Sequence, residues 1–422
     1  MPPTGFSIGV CERTLLAIRL HMASSSSRNS LLAAVAVAGL AIYVLACTSF
    51  SPDDSQIAFP AVDGKTGEFG LSVFHRKTGR VEPVFSFSTV KNLATPRYEA
   101  QLLRPQWLDN QRLLAAWPGN VEGGKGDSTT LNVLLLPVEG KGVVRCWQMS
   151  EIEDLPAKLA QPLAVAGSGL FLSPGSNLVT RLDLETGHVV SHACRGETIE
   201  LYPSGHRAFV FYAATVPDAS NEVEIGRLDA TTFAQIPLQH LNSASFGHAP
   251  WTSHGGTPSA FSADGRQVAL VSDKGTLRLA RAGQPEQIIP LAAGEERINL
   301  SCPCFSPRGD TLYAAFALET NIQTNLTFGI VSVPLDGRPA QRTMLFTGPE
   351  AADRDCVVYL QPGLSNDGKT LAISSSYLFG DPATEGQKQK DCALFLIDVS
   401  KTPHRVRKIA LPLPKADHSF AK

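Results

Sequence analysis

The chain alternates between short apolar stretches and small polar turns, and the same arrangement recurs seven times. In the four clearest copies, an apolar stretch enters a turn rich in Ser, Pro, Asp and Gly, and a second apolar stretch follows directly. These copies read SFSPDDSQIAF from Ser49, SAFSADGRQVAL from Ser259, CFSPRGDTLYAA from Cys304 and GLSNDGKTLAI from Gly363. Pro and Asp favour tight turns, Gly supplies positive φ, and the flanks alternate with the period of two that strands require. The pattern therefore predicts a repeated β-hairpin.

Three weaker copies fill the gaps between the clear ones, so the repeat has a period of about 50 residues, within the range of propeller blades. They begin at Pro105, Ala164 and Glu200. A second hairpin follows most of the turns, as in GLSVFHRKTGRVEPVF from Gly70, which gives four strands per repeat. A single four-stranded sheet cannot bury both faces, whereas sheets stacked around an axis can. We therefore predict an all-β β-propeller of seven four-stranded blades, with six as the alternative because the copies at Pro105 and Ala164 depart furthest.

The repeat also resembles a known family of propellers. It is similar to the WD-repeat-like blades of TolB-type β-propellers, in which the phrase FSPDG precedes an apolar strand and an LxVxDxxTG hairpin follows. The closest matches are Phe50 to Phe59 with Leu71 to Arg80, and Phe261 to Leu270 with Leu277 to Gly283. The resemblance covers roughly residues 48 to 412 and implies a fold and a binding role, because the phrase itself contains no reacting group.

Composition agrees with a large turn-rich domain. The 422 residues include 35 glycines and 29 prolines, and only 18% are charged. Mean hydropathy is −0.00, which suits a folded all-β chain better than a disordered one. The net charge is −2, and no basic stripe is interleaved with aromatic residues, so nucleic acid is not an expected partner.

An uncharged run, LLAAVAVAGLAIYVLACTSF from Leu31 to Phe50, precedes the first repeat. Arginines come before this run and aspartates after it, which predicts an N-terminus inside the cytoplasm and an exported propeller. The predicted organisation is a cytoplasmic or mis-assigned tail at 1–30, a transmembrane helix or signal h-region at 31–47, a propeller at 48–412 and a C-terminal tail at 413–422.

Three fates of this segment remain open, and all of them place the propeller outside the cytoplasm, on the periplasmic or extracellular face. The segment could be a retained membrane anchor. If Met22 is the true start, residues from Met22 onward resemble a signal peptide, and VLAC, which ends at Cys47, resembles a lipobox in which Cys47 carries the lipid. The third alternative is a fully secreted protein.

Six further cysteines suit an exported domain. They are Cys146, Cys194, Cys302, Cys304, Cys356 and Cys392. The pairs Cys146 with Cys194 and Cys356 with Cys392 are the candidate disulfides, and buried free thiols are the alternative for all six.

No catalytic motif lies in the structural context that its chemistry requires. The match GFSIG at Gly5 precedes the apolar run, with no strand leading into it. We therefore predict no catalytic residues, no cofactor and no metal. One weak candidate for ligand or partner recognition is the stretch from Gln239 to Pro258. It holds His240, His248, Trp251 and His254, and loops of this kind often carry binding residues.

Two functions follow as hypotheses. The favoured one is a noncatalytic, membrane-associated, monomeric propeller that binds a protein or an envelope component. The alternative is an exported propeller enzyme, a hydrolase or lyase, whose site lies at the mouth of the central channel. The enzyme would require convergent carboxylates or histidines from different blades around one pocket.

Overall fold

The polypeptide is all-β in every stretch that the computed structural model describes, and these stretches contain no helix. They all belong to a compact unit that spans Tyr43–Lys422, and the residues before this unit lie outside the described part. The described residues are 45–62, 69–86, 105–120, 129–139, 145–149, 163–175, 177–196, 199–205, 208–216, 222–242, 260–271, 276–281, 283–291, 297–319, 325–349, 359–374 and 393–411.

Thirty strands follow one another along the described part of the chain. Strand β1 is Leu45–Cys47. Blade 1 contains β2 (Ser49–Phe50), β3 (Gln56–Val62), β4 (Phe69–His75) and β5 (Arg80–Ser86); blade 2 contains β6 (Gln106–Trp107), β7 (Arg112–Asn120), β8 (Thr129–Pro137) and β9 (Arg145–Met149); blade 3 contains β10 (Ala164–Ala166), β11 (Gly169–Gly175), β12 (Leu178–Asp183) and β13 (Val189–Ala193); blade 4 contains β14 (Ile199–Tyr202), β15 (Phe209–Thr215), β16 (Glu222–Asp229) and β17 (Gln235–Asn242).

The remaining blades follow in the same order. Blade 5 contains β18 (Ala260–Phe261), β19 (Gln267–Val271), β20 (Thr276–Arg281) and β21 (Gln287–Pro290); blade 6 contains β22 (Arg297–Phe305), β23 (Thr311–Glu319), β24 (Asn325–Pro334) and β25 (Gln341–Pro349); β26 is Tyr359–Gln361; and blade 7 contains β27 (Gly363–Leu364), β28 (Thr370–Ser374), β29 (Ala393–Asp398) and β30 (Arg405–Ala410).

Each blade is a four-stranded antiparallel meander, and every strand pairs with its neighbour in sequence. Seven such sheets are present, so the prediction of seven blades is confirmed and the alternative of six is wrong. The weak copies at Pro105 and Ala164 form complete blades, because their short turns still reverse the chain between paired strands.

The core lies between the blades, because alternate side chains of each strand face opposite neighbours. In blade 1, Ala58 and Val73 join a buried cluster with blades 2 and 3, whereas Ile57 and Phe59 join a cluster with blade 7. Four further clusters fill the interfaces between blades 3 and 4, 4 and 5, 5 and 6, and 6 and 7. Each blade is therefore covered on both faces, which a single sheet could not achieve.

The ring closes between blades 1 and 7 without exchanging a strand. Strand β1 instead runs parallel to β26, with Leu45 opposite Tyr359. Buried Thr48 accepts a hydrogen bond from the Gly363 N–H at 2.7 Å and donates one to the Ala372 carbonyl at 2.6 Å. The carboxylate of Asp54 accepts hydrogen bonds from the main-chain N–H groups of Asn366 and Asp367.

The repeated phrase forms the turn between the first and second strands of a blade. Its serine is buried and accepts a hydrogen bond from the N–H five residues later, as Ser365 does from Thr370 at 2.9 Å. The position three residues after this serine adopts positive φ, with Gly265, Gly309 and Gly368 near 70° and Asp54 at 59°. Since strands alternate in direction, the turns between strands one and two and between strands three and four lie at the same end of every blade. We call that end the turn face.

The structure describes only the last three residues of the predicted apolar segment. Residues 31–47 were expected to form one apolar segment, but Leu45–Cys47 are strand β1 in the structure, because their main chain pairs with β26. Residues 31–44 lie outside the described part of the chain. Within the described part, no helix has the length and apolar character needed to cross a membrane.

Candidate binding site on the turn face

A cleft of about 740 Å³ opens on the turn face across blades 4, 5 and 6. Its size falls within the range of small-ligand and peptide-anchor pockets. We call it the turn-face cleft. Its lining residues are Leu238, Asp264, Arg266, Gln267, Arg281, Gln284, Gly309, Asp310, Leu335 and Asp336.

The first turn of blade 5 contributes Asp264, Arg266 and Gln267 to the lining of the cleft. Gly265 lies so close to Phe211 and Leu238 that a Cβ would meet their side chains at 2.5 and 2.7 Å, and its φ is +71°. Glycine is therefore required here for both space and backbone conformation. Gln239 donates a hydrogen bond to the Gly265 carbonyl at 3.2 Å and so joins blade 4 to this turn.

A chain of hydrogen bonds connects blades 5 and 6 along the cleft. Gln267 donates to the Gly309 carbonyl at 3.1 Å, and its side-chain oxygen accepts from Arg281 Nε at 3.0 Å. The Arg281 side chain makes no other hydrogen bond or ion pair with a described residue, which leaves the two terminal amino groups of its guanidinium for a ligand.

Three carboxylates from two blades converge on the cleft, but each is held within its own turn. Burial alone would raise the pKa of Asp264, yet hydrogen bonds from the Ser262 hydroxyl and the Arg266 N–H outweigh burial and lower this pKa. The hydrogen bond from Arg338 lowers the pKa of Asp336.

Asp310 accepts a hydrogen bond from Ser306 at 2.7 Å and pairs with Arg308 at 3.1 Å. Carboxylates from blades 5 and 6 thus line the cleft, each held by contacts within its own turn. Carboxyl groups whose pKa lies below the ordinary range are poor proton donors at neutral pH, so Asp264 and Asp336 are better suited to fixed charge than to acid catalysis.

Arg281 is a cation of the cleft that has no acidic partner among the described residues. Arg266 lies beside Asp264, Arg308 and Arg338 pair with Asp310 and Asp336, and no carboxylate among the described residues pairs with Arg281. Sequence reasoning treated all of these positions as turn residues and missed the site. The phrases ADGR, SPRGD and LDGR signal the charged turns of Arg266, Arg308 and Arg338, but no local phrase signals Arg281.

Of the predicted recognition residues, the structure describes only His240. It lies on the outer strand β17, not in the loop that was expected, because Gln239 to Asn242 continue the pairing with β16. Its Nδ1 lies 3.7 Å from Glu222 and its Nε2 lies 3.8 Å from Glu224, whose other oxygen accepts from Tyr212 at 2.6 Å.

The two ring nitrogens of His240 therefore face different carboxylates and do not share one ligand position. No group of three or more His, Cys, Asp or Glu side chains within the described ranges is arranged to hold a metal ion. His248, Trp251 and His254 lie outside the described residues.

The cysteines of the first predicted disulfide are free thiols in the structure. Cys194 is buried between blades 3 and 4, whereas Cys146 is exposed on β9 of blade 2, so the two face different neighbours. Burial raises the pKa of the Cys194 thiol. Cys304 is also free, and burial raises its pKa to about 12. Cys356 and Cys392 lie outside the described residues, and Cys47 is described only as part of β1.

The fold and the cleft together define a seven-bladed β-propeller with a polar site between blades. Among solved structures, the chain is similar to the WD40 repeats of RRP9, with 13% identity, a TM-score of 0.43, and coverage of 78% of this chain and 86% of that one. It is also similar to Hsv2 of Kluyvelomyces marxianus, with 11% identity, a TM-score of 0.41, and coverage of 86% and 96% respectively. No family model and no curated protein matches the chain. The fold assignment rests on the strand topology itself.

Proposed function

We propose that this chain is a noncatalytic, exported and membrane-associated β-propeller that binds a protein partner through the turn-face cleft. The observation that carries the proposal is Arg281, which has no acidic partner among the described residues, hydrogen-bonds Gln267 and lines a cleft of about 740 Å³. The likeness of the repeat phrase to TolB-type propellers supports a binding role and supplies no catalytic group.

The chemistry of the cleft indicates what it binds. A free guanidinium edge favours a carboxylate, which it can hold through two parallel hydrogen bonds. Leu238 and Leu335 add apolar surface at the same site. The cleft therefore suits a polypeptide segment that presents an acidic side chain beside an apolar one.

The proposal of export and membrane association depends on residues 31–47. If Leu45–Cys47 stay paired with β26 as strand β1, only residues 31–44 of the apolar run are left to form a helix. This length is below the roughly 17–25 residues of a helix that spans a membrane. Lipoprotein processing before Cys47 would remove Leu45 and Ala46 and with them most of the pairing to β26.

Intact-mass analysis of the membrane-extracted protein separates these alternatives. A chain that starts at Met1 or Met22 supports a retained anchor, and a diacylated Cys47 supports a lipoprotein. An unmodified mature protein with a later start, found in the soluble fraction, would contradict membrane association.

Site-specific photo-crosslinking in the native host tests the binding role. A photo-reactive amino acid at Gln284, on the cleft, should yield a crosslinked protein that is identified by mass spectrometry. The matched control places the same group at Lys77, an exposed turn residue on blade 1 at the same face. Equal crosslinking from both positions, or none from Gln284, would contradict the proposal.

A further inference from the structure

The outer edge of strand β30 has no partner among the described strands. It is the outer strand of blade 7 and hydrogen-bonds only to β29 among the described strands. Every residue of β30 is exposed except Ile409, which is partly buried. Open edges of this kind pair readily with an extended segment of another chain.

The same edge is strongly cationic. Its sequence, RVRKIA, carries Arg405, Arg407 and Lys408. Asp398 lies opposite Arg405 in the ladder, but its carboxylate pairs with Lys401 at 3.2 Å and accepts a hydrogen bond from Ser400. No carboxylate within the described ranges pairs with Arg405 or Arg407.

We propose that β30 is a second docking surface, which receives an extended acidic segment of a protein partner by strand addition. Arg405 and Arg407 are two residues apart, so their side chains lie on one face of the blade and can meet alternate acidic residues of an added strand. This surface is separate from the turn-face cleft and does not depend on it.

The distribution of charge favours a strand over an anionic lipid surface. The cations occupy a single strand, and Lys408 lies on the opposite face from the two arginines, over the ring of Phe395 at 5.9 Å. On the neighbouring blade 1, β5 carries Glu82, which pairs with Arg80 at 2.8 Å. A lipid surface would require a broader cluster of about four to eight cations.

Protection against aggregation does not account for these cations. Charged residues do guard open edges, but the exposed outer strands β13 and β21, which read VVSHA and QIIP, contain neither Lys nor Arg. Moreover, a charge that prevents edge-to-edge aggregation can have either sign. An acidic partner, in contrast, requires positive charge on β30.

Binding of labelled synthetic peptides to the full chain tests the proposal. An alternating glutamate and valine peptide should bind, and its lysine and valine counterpart should not. The Arg405→Glu and Arg407→Glu double variant should weaken binding by about tenfold or more, because opposite charges become like charges. Lys77→Gln, at an exposed turn of blade 1, is the matched control and should leave peptide affinity unchanged. Arg281→Gln, measured separately, shows how much of the peptide the turn-face cleft holds, so failure of the cleft proposal does not affect the result for β30.

Two further arms decide the mode of binding. N-methylation of alternate residues of the acidic peptide removes its main-chain donors on one edge and should abolish binding if a strand is added. Equal binding of the methylated peptide would overturn strand addition. Two results would overturn the proposal as a whole. One is binding to phosphatidylserine vesicles without binding to the peptide. The other is unchanged peptide affinity of the double charge-reversal variant when its circular dichroism matches that of the wild type.

Discussion

At the scale of the residue, the serine of the repeat phrase is buried and hydrogen-bonds on both sides of its turn. Ser365 is 1% exposed, donates to Asp367 at 2.7 Å and accepts from the Thr370 N–H at 2.9 Å. Its hydroxyl therefore satisfies a main-chain donor that would otherwise be buried without a partner.

Replacing this hydroxyl should be costly. We expect Ser365→Ala to lower the free energy of unfolding by about 1–3 kcal/mol, the cost of an unsatisfied buried donor. Urea denaturation measures the change. Ser400→Ala, at an exposed turn serine, is the control and should change stability by less than about 0.5 kcal/mol. Equal effects would show that the buried hydrogen bond has no special role.

Turn aspartates make stability depend on acid pH. Hydrogen bonds from the Thr232 N–H and hydroxyl, and from the Thr231 N–H, lower the pKa of Asp229. Because the folded pKa lies below the unfolded value of about 4, this contribution is present above pH 4 and is lost as the pH falls through the folded pKa.

The Asp229→Asn variant should therefore lose less stability between pH 7 and pH 3 than the wild type does. Denaturant midpoints at the two pH values provide the measurement. Glu139→Gln, at an exposed position, should retain the wild-type difference. A pH response of Asp229→Asn identical to that of the wild type would contradict this explanation.

At the scale of the element, equivalent hairpins reach the same backbone geometry with different residues. Gly187 ends the third turn of blade 3 at a φ of +76°, whereas Phe233 occupies the matching place in blade 4 at 58°. The Phe233 ring packs against Phe171 and His192, with centroid distances of 6.0 and 5.4 Å. Burial of the ring offsets the strained backbone.

We expect Phe233→Gly to destabilise the fold by about 2 kcal/mol. Loss of a buried aromatic costs about 3–5 kcal/mol, and relief of positive φ returns about 1–2 kcal/mol. Gly79→Ala, where a Cβ meets no atom within 4 Å at a φ of +72°, measures the strain alone. A Phe233→Gly variant more stable than the wild type would show that strain dominates packing.

The elements were largely predictable, and the site was not. The phrase around Gly265 predicts its hairpin because turn chemistry is local. Arg281 lies opposite Gln267 in the β19–β20 ladder of blade 5, but only the stacking of blades 5 and 6 places Gln267 against the Gly309 carbonyl. The strand β1 was missed because Leu45 to Cys47 continue an uncharged run, and their partner β26 is some 300 residues away in sequence.

At the scale of the whole molecule, the ring is closed by side chains that join blades 1 and 7. Thr48→Val preserves shape but leaves the Gly363 N–H without its acceptor, so we expect a loss of about 1–3 kcal/mol in the free energy of unfolding. Thr231→Val, at an exposed turn, is the control for urea denaturation. Unchanged stability of Thr48→Val would mean that the ring does not depend on this contact.

The affinity of the crosslinked partner for purified cleft variants tests the central claim most directly. Arg281→Gln should weaken binding by about tenfold or more, since a charge-assisted hydrogen bond contributes about 1.5–3 kcal/mol. Arg338 is already paired with Asp336, a lining residue of the same cleft. Arg338→Gln should therefore leave the affinity at the wild-type value. Equal affinity of the wild type and both variants would contradict a binding role for the turn-face cleft.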